Sequence, residues 1–218
     1  EVVAAIDLQG VLGVAHQQSN YHGVHHAIDA HEFANRIDHQ LGLYRRDITY
    51  SQFNLLDSHD TPRFLSCVNG DKDSLKLAWF FLFTYPGTPS IYYGDEIGLD
   101  GEHDPYCRKS FPWDEARWDK NLRSYLKDLI SLRNQHETLR RGDMARLWSA
   151  NGIYSFSRSM NGETYVIAMN VFDSPQQAAV IYHGTHTPHA IFGKSGDISI
   201  SDGRLKFTVP PRSGVILK

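Results

Sequence analysis

Cysteine is scarce in this chain. Cys67 and Cys107 are the only two in 218 residues. That is too few for a disulfide framework, so the thiols read as reduced and the fold as held by its core. A surplus of one charge is also missing. The net charge is −3 with His neutral, which removes the electrostatic case for nucleic acid or an anionic membrane as partner. No apolar run is long enough to span a bilayer. The opening "EVVAAIDLQG" has no basic region, no cleavage pattern and no initiator Met. No secretory leader is read from it, a cytoplasmic location is expected, and the chain reads as a piece of a longer protein. No internal repeat or low-complexity segment is visible.

Histidine, by contrast, is plentiful. His16, His22, His25, His26 and His31 crowd one stretch, and imidazole is a common metal ligand. However, no HExxH pattern occurs and no Cys joins the group, so these read as solvated surface histidines. No metal and no other cofactor is expected.

Two grammars follow one another along the chain. From Glu32 onward, Phe33, Ile37 and Leu41 recur at helical spacing. "SQFNLL" is strand-like. "SLKLAWFFLF" is apolar nearly all round and predicts a buried helix. "PGTPSIYYGDE" predicts a turn and a short strand running into a long polar loop. "DKNLRSYLKDLISLRNQH" predicts a helix capped by Asp119, with Leu122, Tyr125, Leu126, Leu129, Ile130 and Leu132 or Arg133 on one face. Helix alternating with strand is the signature of a parallel sheet or barrel. After about Arg141 come short strand candidates: "ARLWSA", "IYSFSRS", "TYVIAMNV", "QQAAVIYH", "HAIFG", "RLKFTVP" and "GVILK". Between them stand Asn151-Gly152, Asn161-Gly162 and Asp202-Gly203, pairs that favour tight hairpins because both residues tolerate positive φ. The expected class is α/β over residues 1–140, followed by an antiparallel β-sandwich over 141–218.

Residues just past the C-terminal ends of parallel strands line active sites. His59 and Asp60 stand at such a point, as do Tyr92, Tyr93, Gly94, Asp95 and Glu96. A carboxylate there can serve as base, nucleophile or electrostatic stabiliser, and a His beside it can donate to a substrate hydroxyl. The competing reading is structural: Asp60 caps the next helix beside a satisfied His.

Taken together, "FNLLDSHDTPR", "PGTPSIYYGDEIGLDGEHDPYCRKSFPWD" and the closing "FTVPPRSGVILK" resemble the α-amylase family of glycoside hydrolases, most of all its neopullulanase, cyclomaltodextrinase and maltogenic amylase group. The resemblance covers roughly residues 20 to 218. It implies the C-terminal part of a (β/α)8 barrel, with "HDTPR" after strand seven and "GTPSIYYGDEIG" at strand eight. It also implies a retaining hydrolase of α-1,4, with α-1,6 as a further option, in cyclodextrins, pullulan or maltooligosaccharides. Asp60 would be the third catalytic carboxylate, gripping sugar hydroxyls where the ring distorts, and His59 would bind hydroxyls more tightly in the transition state. Asp104 and Arg108 would hold sugars further out, or else form a local loop-fixing ion pair. Tyr92 and Tyr93 would pack under the site, with Trp113 and Trp118 structural rather than sugar platforms. Calcium occurs in some relatives, its ligands mostly upstream.

The same resemblance exposes what is missing. A retaining glycosidase needs a nucleophile and an acid/base about 5 Å apart. The family's Gly-x-Arg-x-Asp and Asp-x-x-x-Asn-His stretches have no counterpart here. Glu1, in "EVV", matches the family's acid/base Glu only loosely, because Val3 stands where the family has Trp. The isolated chain is therefore expected to be inactive, with exposed sheet edges that favour an oligomer or pairing with the rest of the barrel. Two other readings remain open: a non-catalytic carbohydrate-binding or interaction module, and a transglycosylase of the same family.

Overall fold

The computed structural model describes residues 28–184 and 186–218. It begins with helix α1 (Ala30–Leu43), where Asp29 accepts from the Glu32 amide and Ala30, Phe33, Ala34 and Ile37 are buried. A short helix α2 (Arg46–Ser51) leads into strand β1 (Phe53–Asn54). Helix α3 (Phe64–Cys67) and helix α4 (Lys72–Thr84) follow, then strand β2 (Thr88–Pro89). Strands β1 and β2 run parallel, Phe53 opposite Thr88, and the helices between them make the crossover. A long loop with three 3-10 turns leads to helix α5 (Lys120–Gln135) and the short helix α6 (Glu137–Arg141).

The sequence expectation was longer strands here. Ser51 is instead the last residue of α2, and "SIYY" carries no ladder. The reason is local. The pair is extended by Thr88 N–H to Gln52 O and Ser90 N–H to Asn54 O, but Pro89 has no N–H to give, and among the described residues each strand has only the other as partner. Helices α2 and α3 were not read from the sequence, since neither has a capping side chain or more than two turns of pattern. Asp119 caps α5 as expected, accepting from Asn121 and Leu122. Its buried face is Leu122, Leu126, Leu129, Leu132 and Arg133, while Ile130 is turned outward. The all-round apolarity of α4 has a simple cause. It packs against α5 on one side and against the sheet strands described next on another, so almost every position from Leu77 to Thr84 is covered.

The remainder is antiparallel: β3 (Asp143–Ala150), β4 (Ile153–Met160), β5 (Glu163–Asn170), β6 (Gln176–Ile181), β7 (Ala190–Phe192), β8 (Gly196–Ser201), β9 (Arg204–Val209) and β10 (Ser213–Leu217). They form a five-stranded sheet, β3-β4-β5-β10-β7, and a three-stranded sheet, β6-β9-β8. The expected Asn-Gly and Asp-Gly turns are all present, with both residues of each pair at positive φ. Strands β5 and β10 read as apolar runs because both faces are covered, while β4, also covered on both faces, interleaves Ser155, Ser157 and Arg158. Ile153, Val166, Ala168, Val215 and Leu217 meet Val180, Leu205, Phe207 and Val209 of the other sheet. Their neighbours Tyr154, Phe156, Ile167, Met169 and Ile216 pack with Phe33, Phe80 and Phe81 of α1 and α4. Strand β8 was not anticipated: its apolar face is only Ile198 and Ile200, and it lies mostly exposed. No helix among the described residues is long and apolar enough to cross a membrane.

Polar ties join the helical and sheet parts. Arg158, fully buried, donates to the carbonyls of Gly142 and Thr84. Glu163 of β5 accepts from Thr138 of α6 and pairs with Lys218 at 2.6 Å. The Lys218 ammonium, with the Thr138 hydroxyl, holds the Glu163 carboxyl down from 4.5 to about 2. A carboxyl lowered by folding contributes stability above its unfolded pKa and loses it as pH falls through the folded one. Glu163→Gln should therefore melt below the parent protein at pH 6, and the gap should close by pH 2. The side chain is a third exposed, so the gap should stay within a few degrees. Melts by circular dichroism at both pH values would show it, and a constant gap would assign the loss to packing instead.

Candidate active site

The loop after β1 is built from its own polar side chains. Asn54 is buried and donates from Nδ2 to Pro86 O. Asp57 is also buried, and its Oδ2 accepts from the Phe64 amide at 2.6 Å. Asp57 is thus the residue that anchors the start of α3. Asp60 is not, so the capping role passes to another residue. Ser58 and Thr61 close a tight turn, Ser58 N–H donating to Thr61 Oγ1 and Asp60 N–H to Ser58 Oγ. His59 and Asp60 project from its tip with both side chains 60% exposed, His59 Nε2 lying 3.1 Å from Asp60 Oδ2.

The loop after β2 returns to the same place. Arg108 Nε donates to His59 O at 3.0 Å, and its Nη2 stands 3.2 Å from Asp60 Oδ1. Its Nε also lies 2.8 Å from Asp104 Oδ1. His59, Asp60, Asp104 and Arg108, taken from two loops, form one exposed cluster. The local Asp104–Arg108 ion pair exists, but the same guanidinium reaches across to Asp60, which a brace within one loop would not do. Glu1 lies outside the described residues, as do His16, His22, His25 and His26. Among the described residues no group of three His, Cys, Asp or Glu is placed to hold a metal, and no disulfide joins Cys67 to Cys107.

Beneath this cluster lies a residue that the sequence reading passed over. Arg63, fully buried, donates from Nε to Cys107 O and from Nη1 to Tyr93 O and Asp95 Oδ1. Its guanidinium sits 4.5 Å and 4.9 Å from the ring centres of Tyr92 and Tyr93. One side chain therefore ties the HD loop to both halves of the following loop. Burial pushes the Asp95 carboxyl well above the carboxylate range, with the Asp57 charge adding to it. Burial raises Asp57 too, against a hydrogen bond from Asp95. The two acids and Arg63 form one buried, coupled set in which burial favours the neutral form of both carboxyls. Asp95 is therefore not open to substrate, and Glu96 is tied back to the Gly94 amide.

The aromatics are arranged differently from the expectation. Tyr93 is exposed, its hydroxyl donating to Lys109 O. Trp118 donates to Pro112 O and is structural. Trp113 is not: it is 84% exposed and touches only the edge of Phe111 among the recorded ring contacts. Gly101 lies where the loop doubles on itself. A Cβ there would stand 2.4 Å from Tyr106 O and 2.9 Å from Cys107 Cα. Gly101→Ala must shift the backbone that carries Arg108, at a cost of about 1–3 kcal/mol. A drop in melting temperature of several degrees is expected, and an unchanged melt would show the loop to be compliant.

Comparison with known proteins places this geometry. The family model "Alpha amylase, catalytic domain" matches residues 13–176. A cyclomaltodextrinase from a Bacillus species is 44% identical over 149 residues, covering 67% of this chain and 27% of that protein. Neopullulanase 2 from Thermoactinomyces vulgaris is 34% identical over 201 residues, covering 87% and 33%. The native debranching enzyme from Nostoc punctiforme superimposes with a TM-score of 0.88 at 33% identity, over 100% of this chain and 46% of that one. Fold and sequence together define the class as the glycoside hydrolases. The chain belongs to the alpha-amylase family. It spans between a quarter and a third of the length of the two curated relatives just named.

Proposed function

We propose that the chain supplies the closing part of a retaining α-glucan hydrolase that cleaves α-1,4 glucosidic bonds, with α-1,6 as a further option, in cyclodextrins, pullulan or maltooligosaccharides. The observation that carries this is Arg108, which holds Asp60 and Asp104 and also donates to the His59 carbonyl. In this reading Asp60 and His59 grip the hydroxyls of the sugar that distorts, and Asp104 and Arg108 hold the next unit. Such contacts accelerate the reaction only to the extent that they tighten in the transition state. The family names of the relatives support the substrate class: cyclomaltodextrinase and neopullulanase.

The nucleophile and acid/base are assigned to polypeptide beyond the described residues. The nearby acids support this: Asp57 and Asp95 are buried, and Glu96 is engaged. Residues 1–140 would be barrel and 141–218 a β-sandwich, the two antiparallel sheets with an apolar layer between them supporting the second part. Phe53, exposed at 60% on a strand with one edge unpaired among the described residues, together with Leu43, Tyr44 and Ile48, supports pairing with more barrel or with a second copy. No cofactor is assigned, and the location is read as cytoplasmic.

The test is reducing-sugar release from β-cyclodextrin, pullulan and maltotriose by the 218-residue chain, with calorimetric titration of β-cyclodextrin alongside. Binding without release, weakened about tenfold or more by Arg108→Ala, is the expected result. Release by the chain itself would overturn the assignment of the nucleophile elsewhere. Absence of binding as well as release would remove the substrate assignment.

A further inference from the structure

At the other end of the β1–β2 pair from His59 and Asp60, the chain encloses an open cleft of about 660 Å³. Strand direction fixes its place. Arg46 and Tyr50 lie before β1, and Gly87 and Thr88 open β2, whereas the HD loop leaves the far end of β1. Arg133, Arg140 and Arg141 complete the wall. Four guanidiniums line the cleft, and among the described residues no carboxylate does.

Carboxylates meet only part of that charge. The recorded hydrogen bonds of Arg133 all go to backbone carbonyls, those of Phe83, Tyr85, Gly87 and Leu139. Arg140 donates to the carbonyls of Arg133 and Asn134. Arg158, with its guanidinium 5.9 Å from the Tyr50 ring centre, donates to the Gly142 and Thr84 carbonyls. A neutral carbonyl satisfies an N–H group but leaves the positive charge in place. Two carboxylates approach from outside the wall: Asp143, 2.7 Å from Arg46 Nε, and Glu137, 3.7 Å from Arg141 Nε. Both are more than half exposed and therefore screened. Burial, then the neighbouring guanidiniums, press Arg133 down to about 10, and burial above all does the same to Arg158.

We propose that this cleft is an oxyanion site, taking a phosphate or carboxylate group among the guanidiniums of Arg46, Arg140 and Arg141. Planar guanidiniums suit such groups because they donate in pairs. The volume falls in the range of small-ligand sites, roughly 300–1,000 Å³, so an organic phosphate fits as well as the inorganic ion. The N-terminal face of parallel α/β strands serves stability rather than chemistry, so the occupant acts as a stabilising or regulatory ligand and not as substrate. The oxyanion has two possible sources: a dissolved small molecule, or an acidic side chain from a longer polypeptide of the length its relatives have.

The test is thermal melting and calorimetric titration of the 218-residue chain in potassium phosphate against potassium chloride at equal ionic strength. A rise of about 3 °C or more at 20 mM phosphate, absent in chloride, is expected. It should fall by more than half in Arg46→Gln/Arg141→Gln and persist in Lys127→Gln, which removes an exposed charge from α5. The same measurement on a barrel-length protein separates the sources: retained phosphate binding assigns the dissolved ion, and its loss assigns an internal carboxylate. Equal shifts in phosphate and chloride, or an equal phosphate shift in the double variant, would overturn the site.

Discussion

Asp60→Asn should lower kcat on β-cyclodextrin by about 10³-fold in a barrel-complete enzyme containing this chain, with KM changed less than tenfold. The substitution keeps shape and removes one negative charge. In the proposed mechanism that charge faces a sugar ring on its way to an oxocarbenium-like state, so its loss weighs on the transition state more than on the bound ground state. The fold should hardly notice. Asp60 is exposed, its partners His59 and Arg108 are exposed, and Asp57 rather than Asp60 anchors α3. Exposed ion pairs contribute about 0–1 kcal/mol, so the melting temperature should stay within about 2 °C. A tenfold or smaller change in kcat would place Asp60 outside the chemistry, and a collapse of the melt would make it a structural residue.

How much of this site was legible from the residues depends on whether the residues are paired locally. His59-Asp60 could be picked out from its place after a strand, while Asp104 and Arg108 came only from the resemblance to the family, although each pair sits within a few positions in sequence. That one guanidinium joins both pairs is a long-range fact, set by how the loop after β2 doubles back, and no local pattern carries it. The same split governs the fold. Caps at Asp29, Asp71 and Asp119 and the Asn-Gly turns are short-range chemistry and could be anticipated. Strand length in β1 and β2 depends on partners elsewhere in the sheet, and apolar pattern overstated it. Trp113 and Trp118 were both read as structural, and their composition alone does not separate them: Trp118 is held by Pro112 O, whereas Trp113 is 84% exposed.

Arg63→Met is expected to cost about 3–5 kcal/mol, roughly 10 °C in melting temperature for a chain of this size. The new side chain fills most of the volume but removes the donors that satisfy Cys107 O, Tyr93 O and Asp95 Oδ1. It also leaves two buried carboxyls facing one another without a cation. The loss should depend on pH, and its sign is fixed. Without the guanidinium both acids are raised further above their unfolded 3.8. Groups raised by folding contribute stability below the unfolded pKa and lose it as pH climbs. The deficit against the parent protein should thus be larger at pH 8 than at pH 5. Asp95→Asn in the same background should recover part of it, because one of the two stranded acids is gone. The functional cost has a separate signature. With Arg63 removed the two loops lose their common anchor, so Arg108 no longer meets Asp60 in a fixed geometry, and the affinity for β-cyclodextrin should fall at temperatures where the variant is still folded. Denaturant melts at the two pH values, with titration of the sugar at 10 °C, would separate these effects. A pH-independent deficit with unchanged sugar affinity would mean that Arg63 is only filling space.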